Sequence, residues 1–242
     1  MYPELFSIGN ITIYTYGVLV ALGFFVGMQY TAKYSKNAIS KQQLYDFLFY
    51  VILIGIIGAR LFYVFLDLPY YLSNPLEILQ VWKGGLVYYG GFVTVLIFAF
   101  LYCRYKKINI VKLMDIFAPA LALGHTFGRI GCFFSGCCYG KNTDCFLSIG
   151  HRHPTQLYEA CGNLIIFFIL HTLLKKNHKD GYIFIFYMLM YSVLRFFVEY
   201  LRGDDRGSFI FGLSPAQNIS IVIFVIAVII LLFTKNGVKN EK

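Results

Sequence analysis

Long apolar runs constrain this chain more than any other feature of its sequence. The four clearest lie at 13–30, 47–66, 182–198 and 215–233. Each approaches or exceeds the ~17 to 25 residues that a helix needs to cross a bilayer. Of the 242 residues only 14% are charged, against about 25% in an ordinary soluble domain. The sequence therefore predicts an integral membrane protein and excludes a simple soluble enzyme.

Seven apolar spans joined by short connections account for the pattern. They lie at 13–30, 47–66, 87–102, 113–127, 157–174, 182–198 and 215–233. We predict an all-α integral membrane protein with seven transmembrane helices in a single domain over residues 1–242. Small residues in the first three spans would let helix backbones approach closely. These are Gly17, Gly23, Gly27, Gly55, Gly58, Ala59, Gly90 and Gly91.

The net charge of +9 is unevenly distributed between the two sides of the predicted bundle. The connections after the first, third, fifth and seventh spans hold Lys33, Lys36, Lys41, Arg104, Lys106, Lys107, Lys112, Lys175, Lys176, Lys179, Lys235, Lys239 and Lys242. The opposite connections hold fewer: Lys83, Arg129, Lys141, Arg152, Arg202 and Arg206. Because cytoplasmic loops are enriched in Lys and Arg, we predict an outside N-terminus and a cytoplasmic C-terminus. The charge indicates topology, and no nucleic-acid partner is expected.

A few ionisable residues remain inside or beside the apolar spans, where charge is costly and usually functional. Arg60, Arg129 and Arg195 are predicted at one depth, near the outer headgroups. Arg195, Glu199 and Arg202 are spaced i, i+4 and i+7, so they share one helix face. The ladder is either a structural ion pair or a phosphate clamp, since guanidinium presents a planar fork to phosphate oxygens.

The outer segment at about 124–153 is rich in glycine and cysteine, and begins GHTFGRIGCFFSGCCYG. Its glycines, including Gly136 and Gly140, predict a conformation too irregular for a helix. One interpretation is a tightly packed re-entrant turn; the other is a backbone that donates N–H groups to phosphate oxygens next to Arg129.

Four cysteines lie in the same segment, at the spacing C-x4-C-C-x6-C that starts from Cys132. The spacing lacks the paired C-x2-C units of a zinc site, and we expect neither a metal nor a cofactor. A disulfide is one alternative, in which Cys137 and Cys138 would pair with different partners. A nucleophilic Cys137, acidified by Arg129, is another.

Ordered motifs along nearly the whole chain resemble the phosphatidylglycerol:prolipoprotein diacylglyceryl transferase family of bacterial lipoprotein maturation. Seven segments carry the resemblance: FSIGNITIYTYG at 6–17, GARLFYV at 58–64, GGLVYYGG at 84–91, GHTFGRIGCFFSGCCYG at 124–140, HPTQLYEA at 153–160, RFFVEYLR at 195–202 and LSPAQNIS at 213–220. Any one motif is weak, but seven in order make a specific match.

The resemblance implies transfer of the diacylglyceryl group of phosphatidylglycerol to the lipobox cysteine of preprolipoproteins, with release of glycerol phosphate. It implies a multi-pass protein of the bacterial cytoplasmic membrane, surrounded by membrane lipids and expected to be a monomer. The resemblance implies catalytic roles for Arg129, Arg195 and Glu199, and we predict Tyr89 as a further catalytic residue. The resemblance implies Tyr16, Gly140 and Arg202 as further site residues, and we predict substrate binding also by Arg60, Gly90, Gly91, Cys132, Gly136 and Cys137.

The sequence departs from the family pattern at three positions, where the family commonly has His at Tyr89, Asn at Cys132 and Glu at Cys137. A phenol is a poor base at neutral pH, because its pKa is about 10. His125, His151 and His153 are alternative bases on the outer side.

These departures leave two further readings open. A related transferase with a different acceptor would use Cys137, and a non-enzymatic lipid-binding protein would use the arginines only to hold a headgroup.

Overall fold

The computed structural model describes residues 3–8, 11–35, 38–204 and 212–236. These form two compact units: the larger comprises Met1–Lys33 and Met114–Lys242, and the smaller Tyr34–Leu113. Gly9 and Asn10 of the first motif, and Lys36, Arg206, Lys239 and Lys242 of the charge pattern, lie outside the described residues. The interpretation of residues 1–242 as one transmembrane domain stays a prediction.

Seven helices are long and apolar enough to cross a membrane, as the apolar runs predict. They are α1 Thr15–Tyr34, α2 Lys41–Leu66, α4 Tyr88–Tyr105, α5 Ile110–Ser135, α6 Thr155–Leu174, α7 Tyr182–Leu201 and α8 Pro215–Asn236, while a short α3 spans Leu68–Ser73. Helices satisfy their own backbone hydrogen bonds, which lipid cannot. The prediction of an all-α multi-pass membrane protein is confirmed.

A short hairpin at the N-terminal end is the one described sheet, and the apolar pattern did not predict it. Strand β1 spans Glu4–Ile8 and pairs antiparallel with β2, Ile11–Tyr14. The backbone N–H of Thr15 donates to the carbonyl of Pro3 at 3.0 Å. Helix α1 therefore starts two residues later than the predicted span, directly after this hairpin.

Helix α5 corrects the prediction that the 124–153 segment is irregular from its beginning. The helix continues to Ser135, so Gly124, Gly128 and Gly131 lie within it. A membrane-spanning helix tolerates glycine because close packing replaces the missing side chains. A Cβ on Gly23 of α1 would meet the Cβ of Phe127 of α5 at 2.8 Å, so the two backbones are in close approach.

The core of the larger unit forms between α5, α6 and α7. Its buried apolar residues are Ala118, Ala122, Ile166, Leu170, Ile183 and Tyr187. Asp115 of α5 accepts hydrogen bonds from the backbone N–H groups of Gly181 at 2.6 Å and Phe184 at 2.8 Å. The carboxylate caps the start of α7, where N–H groups have no partner within the helix.

In the smaller unit α2 packs along α4. A Cβ on Gly91 would lie 2.7 Å from the carbonyl oxygen of Gly55, and one on Gly90 would collide with the ring of Phe62. These glycines allow the close helix contact that the sequence predicted. Gly17 differs, because nothing lies within 4 Å of a Cβ built on it.

Candidate active site

A buried carboxylate joins two arginines in the larger unit. Glu159, near the start of α6, has a side chain only 2% exposed. Its Oε1 lies 3.0 Å from Nη2 of Arg129 on α5, and its Oε2 lies 3.5 Å from Nη1 of Arg195 on α7. A carboxylate is uncommon at such burial unless it is paired, and here two guanidinium groups pair with it.

The ion pairs continue along the end of α7. Arg195 Nη2 lies 2.7 Å from Glu199 Oε2, and Arg202 Nε lies 3.7 Å from the same oxygen. Arg202 then donates from Nε and Nη2 to the two oxygens of Asp204 at 2.8 and 2.7 Å. The ion pairs predicted from the i, i+4, i+7 spacing are present, although Arg202 lies just past the end of α7 in an extended conformation. Three arginines alternate with three acids.

Exposure distinguishes the three arginines. The side chain of Arg129 is 21% exposed, against 10% for Arg195 and 4% for Arg202. Asp204 holds Arg202 in a bidentate pair, a geometry that uses the guanidinium fork. Arg129 is therefore the guanidinium best placed to meet an anionic ligand.

His125 contacts two tyrosines, and one of them also contacts Glu159. The hydroxyl of Tyr191 donates to Glu159 Oε1 at 3.4 Å, and its ring stacks on His125 with centroids 5.2 Å apart. His125 Nδ1 lies 3.2 Å from the hydroxyl of Tyr187. His125 precedes Arg129 by four residues, so both lie on one face of α5, and the His125 side chain is exposed.

A close backbone crossing positions Arg202. Gly140 pairs with Arg202 across an isolated bridge, and its N–H donates to the carbonyl of His153 at 3.0 Å. The next backbone N–H, that of Lys141, donates to the carbonyl of Leu201 at 2.8 Å. A Cβ on Gly140 would collide with the His153 carbonyl. The predicted site residue Gly140 is thus a point of contact between backbones.

The other two outer histidines have partners of their own. His153 Nδ1 lies 3.4 Å from the hydroxyl of Tyr158 and 3.9 Å from the sulfur of Cys145. His151 Nδ1 lies 3.4 Å from an oxygen of Asp144. The contacts of His153 favour a structural role, whereas the contact of His151 lies between two exposed side chains.

Three cysteine sulfurs gather beside the ion pairs. Those of Cys132, Cys137 and Cys138 all lie within 4.8 Å of one another. Partial burial raises the pKa of Cys137, and the neighbouring Cys138 sulfur adds to the rise. This direction contradicts the alternative in which Arg129 acidifies Cys137. Hydrogen bonds from Cys132 and then Arg202 lower the pKa of Cys138 instead.

Two further predicted residues lie in the same unit. Tyr16, in the first turn of α1, approaches α5 so closely that a Cβ on Gly131 would lie 3.1 Å from its ring. Gly136 follows α5 with φ +74°, a conformation that glycine adopts without the usual Cβ clash. Gly136 lets the chain turn back directly after the helix.

Arg60 lies in the smaller unit, and its guanidinium group is engaged by backbone carbonyls. It donates to Ile78, Gly84 and Gly85 at 3.0, 2.9 and 3.0 Å, and also to Glu77. Tyrosine rings lie 5.5 and 5.3 Å from its Cζ: Tyr63 and Tyr71. These contacts indicate that Arg60 anchors the segment between α2 and α4, and its predicted role in substrate binding stays a prediction.

Tyr89, Gly90 and Gly91 begin α4 of the smaller unit. Tyr89 is 65% exposed, and its ring packs edge-on against Tyr88 at 5.7 Å. Gly90 and Gly91 are buried against α2. Their roles in catalysis and substrate binding stay predictions.

The sequence pattern did not single out Glu159 or Asp204. Glu159 carries a signal that was available, since it is an acid inside an apolar span and so fits the rule for intramembrane charge. It stands in the motif HPTQLYEA. Asp204 follows α7 in a polar connection, where nothing in the pattern distinguishes it from a solvated charge.

The fold and the site define a multi-pass helical membrane protein with a buried ladder of arginines and carboxylates. The model of the family described as prolipoprotein diacylglyceryl transferase matches residues 3–233. The chain belongs to this family, and it is a transferase.

Curated relatives named phosphatidylglycerol–prolipoprotein diacylglyceryl transferase match over nearly their whole length. One from Clostridium tetani is 36% identical over 95% of this chain and 96% of its own. Another from Finegoldia magna is 37% identical over 98% of both chains. A third from Staphylococcus haemolyticus is 32% identical over 96% of this chain and 88% of its own.

Proposed function

We propose that the protein transfers the diacylglyceryl group of phosphatidylglycerol to the thiol of the lipobox cysteine in prolipoproteins, and releases glycerol phosphate. The relatives' names state these substrates. One observation carries the proposal to this chain: Arg129 is partly exposed while Glu159 holds it in place at 3.0 Å. A guanidinium held in this way presents a planar fork that matches the oxygens of a phosphodiester.

The reaction forms a carbon–sulfur bond and breaks the carbon–oxygen bond to phosphate. The thiolate attacks the glyceryl carbon, and glycerol phosphate leaves with the bonding electron pair. Arg129 stabilises the negative charge on the departing phosphate, because it is positioned before the reaction begins. Arg195 shares Glu159 with it, so the position of one guanidinium depends on the other.

The thiol must lose its proton, and the contacts favour His125 as the acceptor. When Nδ1–H donates to the hydroxyl of Tyr187, Nε2 keeps a lone pair for the proton. His125 shares a helix face with Arg129, so both groups approach the same substrate. We assign Tyr89, which stands where the family commonly has His, to lipid orientation rather than to the predicted catalytic role, since an ordinary phenol is a weak base.

The protein acts as a monomer in the bacterial cytoplasmic membrane, with its N-terminus outside. The excess of Lys and Arg in alternate connections supports this orientation. Arg129, Glu159 and Glu199 then lie at the outer ends of their helices, where the headgroups of phosphatidylglycerol are found.

The direct test supplies purified protein in detergent with phosphatidylglycerol and a lipobox peptide. Glycerol phosphate release and a peptide mass increased by one diacylglyceryl group are expected together. Lipid binding without either product would contradict the proposal and favour a lipid-binding protein. Cys137→Ser should retain the transfer; its complete loss would instead favour a transferase in which Cys137 takes part directly.

A further inference from the structure

The end of α5 and the turn that follows it bring three thiols close together. Cys132 lies in the last turn of the helix, and Cys137 and Cys138 follow in the turn. Gly136 with φ +74° and Cys138 with φ +61° reverse the chain. As a result the three sulfurs all lie within 4.8 Å of one another.

Side chains of α6 hold this turn in place. Gln156 Nε2 donates to the carbonyl of Cys137 at 2.6 Å, and Thr155 Oγ1 donates to the carbonyl of Cys138 at 2.9 Å. Gln156 and Thr155 are both buried. The fold therefore supports the turn that carries Cys137 and Cys138.

We propose that Cys132, Cys137 and Cys138 form a binding site for a thiophilic cation of the Zn²⁺ class. Thiolate sulfurs bind Zn²⁺ at about 2.3 Å and stand about 3.8 Å apart in a tetrahedral site. The observed limit of 4.8 Å requires the sulfurs to draw together by about 1 Å at most. The vicinal cysteines lie in a turn rather than in a helix, which allows this contraction.

The surrounding charges do not exclude a cation. Arg202, which hydrogen-bonds with Cys138, is paired with Asp204 at 2.7 Å. Arg129 is paired with Glu159 at 3.0 Å. Each neighbouring guanidinium is thus matched by a carboxylate, and the thiolates supply the excess negative charge that a divalent cation needs.

The cation can reach the site from the surface. Cys137 is exposed, while Cys132 and Cys138 are half-buried. An ion held by these three sulfurs keeps a fourth position for water or another small ligand, as in a tetrahedral site with three protein ligands. The sequence spacing did not indicate this site, because the reversal at Gly136 replaces the usual C-x2-C pair.

The six cysteines provide a matched pair of variants. One replaces the cluster, as Cys132→Ser, Cys137→Ser and Cys138→Ser. The other replaces the remaining cysteines, as Cys103→Ser, Cys145→Ser and Cys161→Ser, and keeps the cluster. Each full-length protein is reduced, equilibrated with Zn²⁺ against a competing chelator and desalted, and the zinc and protein contents are then measured.

The wild-type protein and the variant that keeps the cluster should retain about one zinc per chain, as expected for a single site, and the variant without the cluster should retain none. Bound zinc should also slow alkylation of Cys137 at least tenfold. Absence of zinc from the variant that keeps the cluster would overturn the proposal, as would equal retention by both variants. Transfer activity enters neither measurement, so this result is independent of the proposed function.

Discussion

Glu159 of α6 lies 3.0 Å from Arg129 of α5, and its second oxygen faces Arg195 of α7. One carboxylate therefore fixes two guanidinium groups that come from different helices. Arg129 and Arg195 both need the Glu159 carboxylate, because burying an arginine without a counter-charge costs free energy of folding. This contact makes Glu159 the residue on which the geometry of the site depends.

Replacing Glu159 with glutamine should destabilise the protein and reduce transfer. Removing one partner of a buried ion pair costs about 3 to 5 kcal/mol, so the unfolding midpoint in detergent should fall clearly. Glu77→Gln is the matched control, since the Glu77 carboxylate accepts a hydrogen bond from the exposed Tyr70 at 2.9 Å. Equal thermal stability of the two variants would contradict the structural assignment of Glu159.

Replacing Arg129 with alanine should lower kcat for transfer about 10²- to 10³-fold, the usual cost of losing a donor to developing charge. Arg129→Lys should restore only part of the activity, because an ammonium group does not supply the planar fork. Arg152→Ala is the control: Arg152 lies over the ring of Tyr139 at 4.3 Å and should leave the rate unchanged. Equal losses of kcat in Arg129→Ala and Arg152→Ala would contradict the proposed role of Arg129 in stabilising the leaving phosphate.

Replacing Arg60 with lysine should destabilise the segment at 67–87 and leave the apparent affinity for phosphatidylglycerol unchanged in the folded fraction. Lysine reaches fewer carbonyls than the four that Arg60 contacts, at a cost of about 2 to 4 kcal/mol. Limited proteolysis should cut this segment faster than in Arg104→Lys, an exposed control at the end of α4. A raised KM without faster cleavage would instead support substrate binding by Arg60.

Replacing Gly140 with alanine should disrupt the position of Arg202, because the added Cβ collides with the carbonyl of His153. We expect a lowered unfolding midpoint and at least tenfold slower transfer. Gly124→Ala serves as the control, since its Cβ would meet only the Gly23 carbonyl at an ordinary 3.9 Å. Normal stability and transfer in Gly140→Ala would show that the crossing tolerates a side chain.

His125→Gln should lower kcat at least tenfold while lipid binding is retained, since glutamine can occupy the site but cannot accept a proton at neutral pH. Tyr89→Phe should mainly raise KM for phosphatidylglycerol. Product masses and lipid binding are measured for both variants. A loss of lipidation in Tyr89→Phe, with lipid binding intact, would place Tyr89 in the chemistry and displace His125 as the base.

The sequence alone determined the seven helices and the ion pairs at the end of α7. Apolar runs long enough to span a bilayer must become helices, because lipid offers the backbone no hydrogen bonds. Likewise the spacing of Arg195 and Glu199 places both on one face of α7 wherever that helix lies, and Arg202 follows directly after the helix end. Both inferences depend only on local geometry, and the structure confirms them.

The tertiary structure decided which residues meet across helices. Glu159 pairs with Arg129 although α5 and α6 are separated by the segment at 136–154, and Gly136 folds back to bring Cys137 toward Cys132. In the smaller unit, the segment after α2 folds back so that its backbone carbonyls accept hydrogen bonds from Arg60. Such contacts depend on helix packing and on backbone reversals between helices, which a one-dimensional pattern of apolar and charged residues does not encode.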